Sequence, residues 1–134
     1  MNKQNANSAM PVSGELFDDK LQEECGIFGI AASAEQTDPA VAVYQALYAL
    51  QHRGQDSSGI AVCLDDDIQV HKAKGLVPDV FDRAHLNAFH GAKAAVGHVR
   101  QSIGGGIATP SNIQPLVVHH ASGLLALCYH GKLV

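Results

Sequence analysis

The chain has 134 residues, of which 46% are hydrophobic and 16% charged, with a formal net charge of −4. This length suits one domain with its own core. Lysine and arginine number only 9 in total, and tryptophan is absent, which argues against a nucleic-acid-binding protein. Three cysteines without a Cys-x-x-Cys pair argue against a disulfide framework or a zinc knuckle and favour a reducing, cytoplasmic location.

The first 24 residues differ from the rest in being polar. They contain Asn, Gln, Ser and acidic residues, and no apolar stretch long enough for a signal peptide or a membrane span. We therefore expect residues 1–24 to be a leader or propeptide, residues 25–134 to form the domain, and no contact with a membrane.

A strand and a helix are predicted first. The apolar run over residues 25–32 predicts a strand, and its glycines suggest a close backbone approach. Asp38 and Pro39 can start a helix over residues 39–52. Apolar residues at helical spacing predict one buried stripe on it. The stripe residues are Val41, Tyr44, Leu47 and Tyr48.

The middle of the chain predicts a β-hairpin, a short helix and a strand. Residues 59–64 and 68–73 alternate in character on either side of three aspartates, which is a hairpin signal. A shorter helix is expected over residues 78–89 and a strand over residues 94–99. Three glycines at 104–106 predict a loop.

Two more strands are predicted near the end, over residues 113–118 and 124–129, around a turn at 121–123. Helices and antiparallel strands therefore alternate in blocks, which is typical of a layered mixed architecture. Cys63 and Cys128 fall within predicted strands and are most simply core residues.

Cys25 follows Glu24 at the start of the first predicted strand. A cysteine needs a base to become a thiolate near neutral pH, and cleavage after Glu24 would free the α-amino group of Cys25 for that role. Such an amine has an ordinary pKa of about 7.7–8. The alternative is a small buried cysteine that opens a core strand, and this segment alone leaves both interpretations open.

Polar clusters interrupt the apolar segments. In the turn over residues 51–59, Arg53 and Asp56 are close enough to pair and brace a neighbouring segment, although helix capping and turn formation also explain them. Arg100, at the end of a strand, could bind a carboxylate or simply be a solvated strand terminus. Gly131, after His130, could direct a backbone N–H at an oxyanion.

Five segments together resemble, in order, the class II glutamine amidotransferase domain, and the resemblance covers nearly everything after the leader. The nearest branch of that family supplies ammonia for phosphoribosylamine formation in purine biosynthesis. The segments are Cys-Gly-Ile-Phe-Gly at 25–29, Gln-His-Arg-Gly-Gln-Asp-Ser-Ser-Gly at 51–59, Lys-Gly-Leu-Val at 74–77 with Asp-Val-Phe at 79–81, Gly-His-Val-Arg at 97–100, and Asn-Ile-Gln-Pro at 112–115.

The resemblance implies an α+β fold of the N-terminal nucleophile (Ntn) hydrolase type, a four-layer sandwich of which residues 25–134 would form only the N-terminal portion. It implies removal of the leader, so that Cys25 attacks glutamine and its own amine shuttles the proton. Arg100 would bind the glutamine α-carboxylate and Arg53 would order the surroundings of the nucleophile. Gly131 would donate to the oxyanion, with His130 beside it.

The resemblance is imperfect at two positions. His130 stands where the family usually has Asn, and Ile103 replaces a hydroxyl-bearing residue of the glutamine pocket. The chain also ends at Val134, before the acidic residue that binds the substrate amine and before the phosphoribosyltransferase domain. We expect weak or no activity from this chain alone, and the alternative is a non-catalytic binding or interaction module that keeps the fold.

The expected partners are glutamine, the remainder of such an enzyme, or a second copy of the chain, and no cofactor is implied here. A metal site is disfavoured despite 8 histidines. The adjacent pair His119 and His120 would point to opposite faces of a strand, so the two rings could not easily share one ion.

Overall fold

The computed structural model describes residues 24–32, 37–102 and 107–131. The predictions for the leader up to residue 23, for Ile103 and for the glycine loop 104–106 lie outside these residues. Within the described ranges, no helix combines the length and apolar character that crossing a membrane requires. The elements are β1 (Gly26–Ala31), α1 (Pro39–Ala49), a 3₁₀ turn (Gln51–Arg53), β2 (Ser57–Leu64), β3 (Asp67–Lys74), α2 (Val77–Val80), α3 (Arg83–Ala88), β4 (Ala94–Arg100), β5 (Leu116–His120) and β6 (Gly123–Leu127).

The strands form two antiparallel sheets. The larger sheet has the order β1-β4-β2-β3, and β5 and β6 form a separate two-stranded sheet. Gly26 of β1 lies opposite Val99 of β4. This register brings Cys25, which precedes β1, to the same end of the sheet as Arg100, which ends β4.

Helix α1 covers one face of the four-stranded sheet. Asp38 caps its N-terminus by accepting hydrogen bonds from the N–H groups of Ala40 and Val41, and Pro39 fits the first turn. The core between helix and sheet consists of fully buried aliphatic side chains. Those from α1, β2 and β4 are Ala40, Val43, Leu47, Ile60, Val62, Ala95 and Val99.

The β5–β6 sheet lies against the opposite face. An apolar cavity of about 280 Å³ separates the two sheets and is lined by residues of β2, β4 and β6. The described chain therefore has a helical layer, a four-stranded layer and a two-stranded layer. The α+β prediction with antiparallel sheets is confirmed, and the arrangement is that of an incomplete Ntn-type sandwich.

The predicted stripe on α1 was wrong in its position. Val43 and Leu47 are fully buried, whereas Tyr48 is 60% exposed and Val41 and Tyr44 are only half-buried. The true stripe includes Ala40 and Val43, because small side chains allow the helix to pack closely on the sheet. The prediction from the sequence placed larger apolar residues in the stripe instead.

The single helix predicted over residues 78–89 is two short helices. Phe81 and Asp82 have extended backbone between α2 and α3. Asp82 accepts a hydrogen bond from the N–H of His85, and the His85 ring accepts one from the N–H of Asp82. This capping box starts a new helix and so ends the first.

The last two strands are shorter than predicted. Residues 113–115 form an irregular segment before β5, in keeping with the missing N–H of Pro115. β6 ends at Leu127, so Cys128 follows the strand rather than lying within it. Cys63 does lie in β2, but it is half-buried rather than part of the core.

Candidate active site

The backbone of Cys25 is held on both sides by Arg53. The Cys25 N–H donates to the Arg53 carbonyl oxygen at 2.8 Å, and Arg53 Nε donates to the Cys25 carbonyl oxygen at 2.9 Å. Cys25 has φ = 61°, a left-handed conformation that is uncommon for a residue with a side chain. Such a conformation persists where the surroundings fix it, and Arg53 provides that constraint.

The turn after α1 braces two neighbouring segments. Gln51 donates from Nε2 to the Gly54 carbonyl oxygen at 2.6 Å and accepts from the Val77 N–H at 2.6 Å. The Asp56 carboxylate accepts from the Ser102 N–H at 2.5 Å. The sequence suggested that Arg53 and Asp56 brace a neighbour; Arg53 holds Cys25, and Asp56 holds the segment after β4.

A cavity of about 520 Å³ opens beside Cys25. Four of the five predicted site residues line it, and Arg53 lines a smaller neighbouring cavity of about 360 Å³ together with Cys25 and His130. The larger cavity is lined by Glu24, Cys25, Arg100, Gln101, Ser102, Asn112, Gln114, Tyr129, His130 and Gly131.

Arg100 is fixed at the edge of this cavity. It ends β4 and is half-buried, and its Nη1 donates to the Asn112 carbonyl oxygen at 3.1 Å. A guanidinium anchored by one nitrogen in this way can present its remaining N–H groups to a carboxylate.

His98, two residues before Arg100, is neutral at physiological pH. It is 1% exposed, and its burial lowers its pKa to about 4, against an opposing hydrogen bond to the Tyr129 backbone and with a further lowering by the charges of Arg100 and His130. His98 therefore adds no positive charge next to Arg100 at physiological pH.

The three cysteines differ in their surroundings. Burial raises the pKa of Cys128 to about 12, so this thiol stays protonated and unreactive. Cys63 Sγ lies 3.7 Å from the Asp65 carbonyl oxygen at the β2–β3 turn. Cys25 borders the polar cavity, with Sγ 3.9 Å from the Gln101 carbonyl oxygen. Cys25 is therefore the cysteine placed to meet a ligand in that cavity.

Sequence reasoning missed the roles of Gln114, which lines the cavity, and of Lys72, which holds the segment around Gln114. Gln114 is 7% exposed, and its Oε1 accepts from the Tyr129 N–H at 2.6 Å. Lys72 Nζ donates to the carbonyl oxygens of Ile113 and Pro115 at 2.7 and 2.9 Å, and burial lowers the pKa of Lys72. A polar turn at 112–115 was visible in the sequence, but its partners were not, since they lie 15 to 43 residues away.

Metal binding finds no geometric support in the part of the chain that the structure describes. No group of three or more His, Cys, Asp or Glu side chains there could hold an ion. His119 and His120 end β5 and are both exposed.

Comparisons with known proteins agree on one enzyme. No protein-family model matches the chain. The amidophosphoribosyltransferase of Synechocystis sp. is 44% identical over 128 residues, which are 96% of this chain and 25% of that protein. A solved structure described as the allosteric regulatory enzyme of purine biosynthesis superposes with a TM-score of 0.62 and 33% identity, covering 75% of this chain and 21% of its own.

A second solved structure is glutamine phosphoribosylpyrophosphate amidotransferase from B. subtilis. It matches with a TM-score of 0.56 and 34% identity over 77% of this chain and 20% of its own. This chain thus spans about a quarter of the length of the curated relatives that it matches.

Proposed function

We propose, on the premise that this chain is a homologue of the amidophosphoribosyltransferases, that the cavity beside Cys25 binds L-glutamine for hydrolysis of its side-chain amide. The ammonia would serve phosphoribosylamine formation in purine biosynthesis. The observation that carries this proposal is that Cys25, Arg100 and Gly131 line one cavity. A nucleophile, a cation for the α-carboxylate and a backbone N–H for the oxyanion are the groups that this reaction needs.

Activation would begin with removal of the leader, residues 1–24. Cleavage after Glu24 would turn the backbone nitrogen of Cys25 into a free amine, already positioned 2.8 Å from the Arg53 carbonyl oxygen. An α-amine with an ordinary pKa of about 7.7–8 can accept the thiol proton near neutral pH. Because Glu24 also lines the cavity, cleavage would remove an acidic residue from the cavity that the substrate would enter.

The chemistry would then take two steps. The Cys25 thiolate attacks the amide carbon of glutamine, and the C–N bond breaks as ammonia leaves with a proton from the Cys25 ammonium group, leaving a thioester. Water then hydrolyses the thioester to glutamate and the free thiol. Arg100 holds the α-carboxylate throughout, and Gly131 donates to the oxyanion of each tetrahedral intermediate.

We further propose that this chain by itself turns over glutamine slowly. His130 offers no side-chain amide donor beside Gly131, and loss of one oxyanion donor typically costs about 10²–10³ in rate. Transfer of ammonia to phosphoribosyl pyrophosphate would need sequence beyond the quarter of its relatives that this chain matches.

The second candidate is a binding module that keeps the fold without the chemistry. It is favoured by His130, which offers no side-chain amide donor beside Gly131. Mass spectrometry of the protein from its host separates the two candidates. An N-terminus at Cys25 supports the glutaminase, whereas retained Met1 supports the binding module.

The proposal is tested by covalent labelling with a glutamine analogue that carries an electrophilic chloroketone. In chain that begins at Cys25, we expect labelling of Cys25, protection by L-glutamine, and loss of labelling in Cys25→Ala but not in the matched control Cys63→Ala. Arg100→Ala should weaken binding of the analogue at least tenfold. Labelling that glutamine does not reduce, or that spreads equally to Cys63, would contradict a glutamine site.

An ammonia-release assay tests the proposed low activity. We expect turnover at least a hundredfold below that of a full-length relative, and no turnover in Cys25→Ala. Turnover equal to that of the relative would contradict this part of the proposal while leaving the site assignment in place.

A further inference from the structure

The segment before Gly131 is held at Tyr129 by a hydrogen bond from a buried side chain. The Tyr129 N–H donates to Gln114 Oε1 at 2.6 Å. Only one residue separates Tyr129 from Gly131, which lines the same cavity as Cys25. The backbone position of Gly131 therefore depends on what holds Tyr129.

Gln114 is itself fixed by the sheet. It is 7% exposed, and its carbonyl oxygen packs so closely on Gly59 of β2 that a Cβ there would overlap it. Lys72 of β3 donates to the carbonyl oxygens on either side of Gln114, those of Ile113 and Pro115. The Gln114 side chain thus extends from a rigid base, which is the condition for a side chain to position another group accurately.

We propose that Gln114 is a positioning residue of the candidate glutaminase site, which sets the location of the Gly131 N–H through its hydrogen bond to Tyr129. This inference rests on the function proposed above. Gln114 also lines the cavity, and its Oε1 accepts from the Tyr129 N–H. Both Gln114→Met and Gln114→Glu remove the Nε2 donor, so a difference between the two variants reports the acceptor.

The Tyr129 N–H is a half-buried donor with one acceptor, Gln114 Oε1. Removing the acceptor would leave the Tyr129 N–H without its partner in a half-buried position, which favours local displacement of the segment toward water. A displacement of about 1 Å at an oxyanion donor is enough to lower the rate substantially. Arg100 is anchored separately, by the Asn112 carbonyl oxygen, so substrate binding should be much less affected.

The test compares Gln114→Met, which keeps the length but removes the acceptor, with Gln114→Glu, which keeps an acceptor oxygen. Gln69→Met on the exposed part of β3 is the matched control. Amide hydrogen exchange by NMR on the full chain should show at least tenfold faster exchange of the Tyr129 N–H in Gln114→Met, with a shifted Gly131 amide resonance. Gln114→Glu should stay within about threefold of the wild type, and Gln69→Met should match it. Unchanged exchange in Gln114→Met would overturn the inference.

A second measurement links the contact to the site. In chain beginning at Cys25, Gln114→Met should lower the maximal rate of Cys25 labelling by the chloroketone analogue about tenfold, with the half-saturating concentration within twofold of wild type. Faster exchange with an unchanged labelling rate would overturn the positioning role and leave the proposed function intact. Absence of labelling in the wild type would instead overturn the proposed function, and this inference with it. Amides of β2 and β4 report whether each variant is folded.

Discussion

His98 is a buried histidine whose charge is set by burial and by neighbouring groups. Arg100 and His130 disfavour its protonation electrostatically, burial disfavours it most, and the Tyr129 backbone opposes both. A histidine on a solvated strand would titrate near 6.5. Because the pKa of His98 falls to about 4 in the folded chain, protonation of His98 destabilises the folded state relative to the unfolded state.

This predicts a pH dependence of stability that belongs to His98. The unfolded chain binds a proton at this position below about pH 6.5, whereas the folded chain stays neutral until about pH 4. The free energy of unfolding should therefore fall as the pH drops through that window, by on the order of 3 kcal/mol from this group. Urea unfolding between pH 4 and 7 measures it. His98→Gln should lose this part of the slope, and the exposed His119→Gln should keep it.

An NMR titration checks the same group directly. The imidazole of His98 should remain neutral from pH 7 down to about pH 5. Titration of His98 at the ordinary pH would show that its ring is accessible to water, contrary to its 1% exposure.

At the scale of single elements, α1 depends on its cap. Asp38 accepts hydrogen bonds from the N–H groups of Ala40 and Val41 at 3.0 and 3.3 Å. Asp38→Ala should lower the free energy of unfolding by about 1 kcal/mol, because those donors lose their partner. Asp38→Asn, which keeps a capping oxygen, should retain most of the stability. Asp66→Ala, exposed in the β2–β3 turn, is the control for loss of an acidic side chain.

The crossing of β2 with the 113–115 segment gives a second prediction at this scale. A Cβ on Gly59 would overlap the Gln114 carbonyl oxygen and lie 2.8 Å from Pro115 Cδ, whereas one on Gly29 of β1 would meet nothing closer than 3.6 Å. Gly59→Ala should therefore destabilise the fold by roughly 1–3 kcal/mol through overpacking. Gly29→Ala should be neutral or slightly stabilising. Equal effects of the two variants on denaturant unfolding would contradict the close approach.

These elements show what the sequence could and could not predict. The start of α1 and the β2–β3 hairpin were predictable because Asp38, Pro39 and the aspartate turn act over a few residues. The break at Asp82 was equally local, but the apolar residues around it concealed it. The contact between Gln114 and Tyr129 spans 15 residues and depends on how two segments pack. Sequence pattern carries no signal for such a contact.

The candidate site divides in the same way. Cys25, Arg100 and Gly131 could be named from the resemblance to an amidotransferase domain, because their motifs are contiguous in sequence. The roles of Arg53 and Asp56 in holding two different segments required the fold. Hydrogen-bond partners of a turn are chosen by the elements that surround it, and these come from distant parts of the chain.

At the scale of the whole molecule, the β5–β6 sheet leaves apolar side chains in contact with water. The register pairs Leu116 with Leu127 and Val118 with Leu125, and residues paired in this way share one face. Val118, Leu125 and Leu127 are 49%, 55% and 43% exposed. In a layered fold such a face is normally covered by another layer, whereas in the described part of this chain its side chains are exposed.

We therefore expect the chain to self-associate as its concentration rises, through the face formed by Leu116, Val118, Leu125 and Leu127. Apolar area removed from water stabilises such contacts by about 25 cal/mol per Å², and a lysine in that face opposes its burial. Leu125→Lys should shift sedimentation-velocity profiles toward the monomer at concentrations where the wild type forms larger species. Ala121→Lys, exposed in the β5–β6 turn, adds the same charge outside the face and should behave like the wild type. If both lysine variants reduce association equally, net charge rather than this face controls association. A wild type that stays monomeric at high concentration would show that the face does not mediate self-association.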